Sequence, residues 1–185
     1  KGLEGQDLLP RKTVALLAEL YECVNEARFF KYWSKDTKPR TEFICDLCDG
    51  REEISRETSF GTPEVGFDVV EVDVDCPVCE DIDVDTNPLL EEYIDTIHFT
   101  LSIANDLGVH EHKYVKTQPQ DLNKLVLGIT NLATIIPISK EKYQVESLIN
   151  NIITLGYQLG FDEKQVIEAY LEKNKVNYER QENGY

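Results

Sequence analysis

Apolar residues recur at helical spacing along most of this chain and at strand spacing in one short stretch. Leu16, Leu17, Leu20, Val24 and Ala27 fall three and four apart, which predicts one long helix over 9–33 with Pro10 in its first turn. Leu90, Ile94, Ile97 and Leu101 predict a second helix from Leu89 to about Leu107, opened by Asn87-Pro88 and stopped by Gly108. Further helices are predicted over about 120–136 with Pro137 as the stop, over about 140–158 ending near Gly160, and from near Asp162 to about Glu182. Val70, Val72 and Val74 alternate with Glu71, Asp73 and Asp75, a period of two that predicts a strand. Gly50, Gly61, Pro63 and Gly66 punctuate that region as turns. The fold class is therefore all-α: a helical bundle formed by 1–40 and 88–185, carrying a small β-containing insertion at 41–87.

Charge sharpens that division. The chain has 185 residues and a formal net charge of −16. Residues 41–87 hold 15 acidic and 2 basic side chains, so almost all of the excess sits in the insertion. Such a surface argues against nucleic-acid binding and leaves room for a basic protein partner. No continuous apolar run reaches the roughly 18 residues of a membrane span, so no membrane partner is expected. No signal-peptide pattern opens the chain, and a cytoplasmic location is expected. The chain starts at Lys1 and has no Met, so either residues precede it or methionines have been lost from it.

Two carboxylate pairs carry candidate chemistry. Glu19 and Glu22 form an ExxE on the first helix, and Glu92 and Asp95 an ExxD on the second. A spacing of three puts both acids of a pair on one helical face. Two such helices packed together would converge four carboxylates, which is costly without a cation. Hard oxygen ligands suit Mg²⁺ or Mn²⁺, and phosphoryl chemistry follows naturally. The competing reading is a solvated acidic face.

Cys45, Cys48, Cys76 and Cys79 form two CxxC pairs separated by 27 residues, the spacing of a structural Cys₄ zinc ribbon. Disulfides are the alternative, weakened by an odd fifth cysteine, Cys23, which reads as a small core residue of the first helix.

The run from Leu17 to Ser34, the run from Leu90 to Ser102 and the closing run from Tyr170 to Tyr185 together resemble the three motifs of the dimeric dUTPases, all-α nucleotide pyrophosphohydrolases related to MazG. That resemblance implies a homodimer that hydrolyses dUTP, and dUDP as well, to dUMP, with pyrophosphate leaving from dUTP. It implies Mg²⁺ held by Glu19, Glu22, Glu92 and Asp95, with Glu22 or Glu26 as a base. It implies Arg28, Lys31, Lys173 and Arg180 on the phosphates, with Lys175 a weaker candidate. Asn25, Trp33 and Asn177 are expected at the uracil, and Phe99 against the deoxyribose. His98 reads more readily as a core histidine than as a ligand. The family usually has a further helix before the point where this chain begins, and 69 residues separate Glu22 from Glu92, more than the family leads one to expect. Bacterial or phage origin, and a host-cytoplasm setting in the phage case, follow from the same resemblance. The rival readings are a pyrophosphohydrolase of another nucleotide, such as dCTP or a damaged base, and an interaction or regulatory protein acting through the insertion.

Overall fold

A computed structural model describes residues 5–43, 45, 47–49, 51–62, 66–79 and 87–182. The chain divides into two units, Lys1–Arg40 with Pro88–Tyr185, and Thr41–Asn87. The first, the body, contains α1 (Leu9–Ala27), α2 (Pro88–Asp106), α3 (Leu122–Ser139), α4 (Lys142–Leu159) and α5 (Glu163–Glu182). The second contains an antiparallel hairpin of β1 (Glu53–Thr62) and β2 (Gly66–Asp75). The class is thus all-α with a small β-containing insertion.

The body forms around one apolar cluster. Leu16 and Leu20 of α1, Leu89 and Ile94 of α2, Ile129 and Ile136 of α3, and Leu148 and Ile152 of α4 are all essentially inaccessible to water. The α1, α3 and α4 positions lie four or seven apart, so each pair shares one helical face, as an amphipathic helix requires. Tyr93 is buried among them and donates its hydroxyl to the Ile152 carbonyl at 3.0 Å, which satisfies the one polar atom it brings inside. Gly156 makes that seat possible, because a Cβ there would collide with the Tyr93 ring and hydroxyl. The segment between α2 and α3 is strapped to α4 by amide side chains. Asn150 pairs with both the N–H and the carbonyl of Val115, and Gln158 does the same at Gln120.

Two helix ends differ from the sequence expectation. The first helix stops at Ala27 rather than near residue 33, because Arg28 takes up a left-handed conformation (φ 60°) and its N–H bonds the Val24 carbonyl. No Gly or Pro marks that stop. α3 continues past Pro137 to Ser139. A proline in the last turn costs one donor, and the helix closes normally with Lys140 N–H on the Ile136 carbonyl. By length and composition α3 is also apolar enough to cross a membrane, with a mean hydropathy of 1.3. Here it packs Leu125, Val126, Ile129, Ala133 and Ile136 into the bundle while Leu127 and Ile138 stay exposed.

The insertion leaves and rejoins the body at one place: Arg40 N–H bonds the Glu26 carbonyl, and the Arg40 carbonyl accepts from Leu89 N–H. Within the hairpin, Val70, Val72 and Val74 lie on β2 as the alternation predicts, paired with Thr58, Arg56 and Ile54. Of the predicted turn residues, Gly61 ends up in β1 and Gly66 opens β2, while Gly50 and Pro63 lie outside the described residues.

Candidate active site and cysteine centre

α1 and α2 pack against one another along the core, and this contact sets the carboxylates. Leu16, Leu20, Cys23 and Ala27 anchor α1, leaving Glu19 and Glu22 on the adjoining face. Leu89, Tyr93 and Ile94 anchor α2, leaving Glu92 and Asp95 half-buried beside them. Carboxylate oxygens of Glu19, Glu22 and Glu92 all lie within 4.8 Å of one another. Like charges that close raise one another's pKa. Burial pushes the Glu92 carboxyl up to about 7, reinforced by Glu22, Glu19, Asp95 and Glu91. Glu19 also titrates above the ordinary carboxylate range, through burial first and then through Asp95 and Glu22, with Lys173 opposing.

Asp95 faces the same cluster but is held by α5. Lys173 Nζ lies 2.8 Å from Asp95 and 2.9 Å from Glu91, and these two acids outweigh the burial that would lower its pKa. Glu91 was not anticipated from the sequence as a site residue. It is the acid next to Glu92 and marks where α5 docks. One turn before Lys173, Tyr170 stacks on His98 with ring centroids 4.4 Å apart. Burial lowers the His98 pKa, and its Nε2 is buried without a hydrogen-bond partner among the described residues. Asn177 is half-buried one turn beyond Lys173. The side chain of Arg180 lies outside the described residues. Lys175 is exposed.

The remaining candidates separate from this cluster. Glu26 lies one turn beyond Glu22 and accepts from Arg40 and Asn25. Asn25 in turn accepts from Lys31 at 2.8 Å. Arg28 is 7 % exposed, and its guanidinium is committed to Asp36, through the backbone carbonyl and an ion pair at 2.9 Å. It therefore ties down the turns after α1 instead of presenting a free cation. Trp33 is exposed on those turns, edge-on to Phe30 and Tyr32. Phe99 packs against the core from α2, one turn beyond Asp95. Cys23 sits behind the acids, its thiol pushed up to about 12 by burial and by Glu92 and Glu26, which makes it inert.

The other four cysteines converge in the Thr41–Asn87 unit. Their sulfurs lie within 4.8 Å of one another, with Cys45 to Cys76 at 3.7 Å and Cys48 to Cys79 at 3.5 Å. A disulfide needs about 2.0 Å, so all four are free thiols. Burial works against ionisation of Cys48, but hydrogen bonds from Cys79, the Glu52 backbone N–H, Cys45 and Cys76 prevail and hold it at about 7.

No curated protein and no solved structure matches the chain. A family model described as dUTPase matches residues 1–50 and 80–185, which takes in both carboxylate pairs, Lys173 and the closing motif, and leaves out 51–79 with both strands and the second CxxC. On that match, over most of its length and through the residues that converge between α1, α2 and α5, the chain belongs to the dUTPase family of all-α dUTP diphosphatases.

Proposed function

We propose that the body hydrolyses dUTP to dUMP and pyrophosphate, and accepts dUDP, using Mg²⁺ or Mn²⁺ held by Glu19, Glu22, Glu92 and Asp95. The observation that carries this is the crowding of Glu19, Glu22 and Glu92 within 4.8 Å with Glu92 raised to about 7. An arrangement that repels itself is costly unless a cation is part of it, and an all-oxygen donor set fits a hard divalent ion. When bound, such an ion lowers the pKa of a water and neutralises charge on the phosphates.

The chain's own residues do the rest. Lys173, reaching from α5, supplies positive charge at the edge of the acids, where phosphate oxygens would compete with Asp95 and Glu91 for its three donors. Lys31 and Arg180 are the further phosphate candidates. Glu22 is the better base of the two candidates, because it stands in the cluster while Glu26 is engaged by Arg40. Arg28 acts as a positioning residue for the turns that carry Lys31 and Trp33. Asn25, Trp33 and Asn177 are assigned to the uracil and Phe99 to the deoxyribose by resemblance. The homodimer has apolar surface to use in the exposed Leu127 and Ile138 of α3.

The test follows pyrophosphate release from dUTP, dTTP, dCTP and UTP in Mg²⁺. Strong selectivity for dUTP is expected, and a similar rate on all four would reject the base-contact residues. Glu22→Ala and Glu92→Gln each remove a ligand, an effect of several kcal/mol, so a loss of roughly 10³-fold in rate is expected. Normal rates in both variants would remove the metal assignment.

A further inference from the structure

Among its described residues the Thr41–Asn87 unit buries few side chains. Its buried side chains among the described residues are Cys45, Cys48 and Cys76, with Phe43, Ile54 and Cys79 packed around them. Its strands add little. A two-stranded hairpin alone is marginal in water. Two of its cross-strand pairs, Glu53 with Asp75 and Glu57 with Glu71, set like charges opposite one another, which is destabilising. What the unit does have is an arrangement that aims four sulfurs at one point. Asp49 N–H bonds the Cys45 carbonyl at 2.7 Å and Arg51 N–H the Cys48 carbonyl, with Asp49 and Glu52 in left-handed conformations that tighten the first turn. Cys79 N–H bonds the Cys76 carbonyl in the second turn, and Cys76 N–H bonds the Glu52 carbonyl, joining the two turns at the open end of the hairpin.

The sulfur spacing selects the occupant. A Zn–S bond of about 2.3 Å gives a tetrahedral edge of about 3.8 Å. The distances across the two turns are 3.7 and 3.5 Å, and all four sulfurs are mutually close. Two disulfides would need closeness only within each pair. A soft all-thiolate donor set excludes the hard cations expected at the carboxylates.

We propose that Cys45, Cys48, Cys76 and Cys79 bind one Zn²⁺ as a closed tetrathiolate centre, and that this ion replaces a hydrophobic core as the determinant of folding in Thr41–Asn87. Binding is not redox chemistry: each thiol gives its proton to solvent and its sulfur to the metal, with up to four protons released per ion. With all four positions taken by protein there is no place for a substrate, so the centre is structural. All four cysteines lie in the Thr41–Asn87 unit, apart from the unit that holds the carboxylates; Cys45 and Cys48 fall within the family match, while both strands and the second CxxC lie in the unmatched 51–79.

The test uses the full chain. Metal analysis of the dialysed protein is expected to find about one zinc per chain. Exchange for Co²⁺ is expected to give the intense visible bands of tetrahedral cobalt with a thiolate charge-transfer band beside them. Stripping the metal is expected to open Thr41–Asn87 to limited proteolysis while the far-ultraviolet helical signal of the body persists. Cys76→Ser is expected to lose the zinc, and Cys23→Ser to keep it. Iron in place of zinc, a mass showing two disulfides, full zinc retention in Cys76→Ser, or a stripped unit that resists proteolysis as well as the loaded one would each overturn the proposal.

Discussion

The body buries a continuous apolar cluster running from Leu9 to Phe161, whereas the buried side chains of the Thr41–Asn87 unit, among the described residues, are three cysteines. The charge follows the same division, with 15 acidic against 2 basic side chains in 41–87. A unit of 47 residues is small for a core that offsets the entropy of ordering its chain, and its charge repulsion works against compaction. The helices of the body are held by packing, so on the proposed reading a metal there would serve chemistry alone. In the hairpin unit the four sulfurs stand where a core would be. The same physical event, neutralising crowded anionic ligands with a cation, would therefore serve reaction in one unit and folding in the other.

The largest test of this contrast exchanges the kinds of damage. Ile129 is fully buried in the body. Ile129→Ala should destabilise the body by about 3 kcal/mol through lost burial and the cavity left behind. It should leave the zinc content of the chain unchanged. Denaturant unfolding followed by the helical signal gives the first number, and metal analysis the second. Zinc lost in step with helix would mean that the two units share one folding transition and that the contrast is false.

The parts of this molecule legible in the sequence are those fixed by short-range geometry. The periodicity of α1 locates its buried face at Leu16, Leu20, Val24 and Ala27, whereas on α2 the stripe read from the sequence falls to one side of it, with Ile94 buried, Leu90 and Ile97 half-buried and Leu101 exposed while Leu89, Tyr93 and Ile103 face the core. A spacing of three suffices to place Glu19 with Glu22 and Glu92 with Asp95. The four cysteines are legible for a similar reason, because a CxxC turn can hardly do otherwise than bring its sulfurs together. What the sequence did not disclose depends on long-range packing. The end of α1 at Arg28 comes from a left-handed cap in a residue type that rarely takes one, held by burial against Asp36. The same contact engages the Arg28 guanidinium, which the resemblance assigns to the phosphates. Glu91 becomes a site residue only because α5 brings Lys173 to it, across 82 positions of sequence.

A smaller effect separates the roles of the two cation sites by pH. Glu92 has its carboxyl raised from 4.5 to about 7 in the folded body. A raised carboxyl binds its proton more tightly when folded, so its contribution to stability is complete below about pH 4.5 and is lost as pH rises through 7. Glu19 shifts in the same direction. Because Glu92 remains partly in contact with water, screening reduces the effect to on the order of 1 kcal/mol. Without added Mg²⁺, the melting temperature of the helical signal should therefore fall between pH 5 and pH 8. Adding Mg²⁺ should flatten the fall, since it binds the deprotonated cluster. A melting temperature that rises over this range without Mg²⁺ would show that the acids do not repel one another as the geometry requires. The zinc content should stay level across the same range.

The smallest effect concerns the hairpin's own apolar residues, and it decides whether the metal is needed there at all. Val72 lies on β2 opposite Arg56 and is 38 % exposed. Val72→Thr keeps the β-branched shape and gives up only partly buried apolar surface, so it should cost less than about 0.5 kcal/mol. If the cysteines alone hold the unit, the variant should compete for Zn²⁺ against a chelator within about twofold of the unaltered chain, since 0.5 kcal/mol corresponds to roughly that factor. A tenfold loss of zinc affinity would mean that the valine face of β2 contributes to folding about as strongly as a buried side chain does in the body. The difference between the two units would then be one of degree, and the ion would reinforce a small core instead of standing in for one.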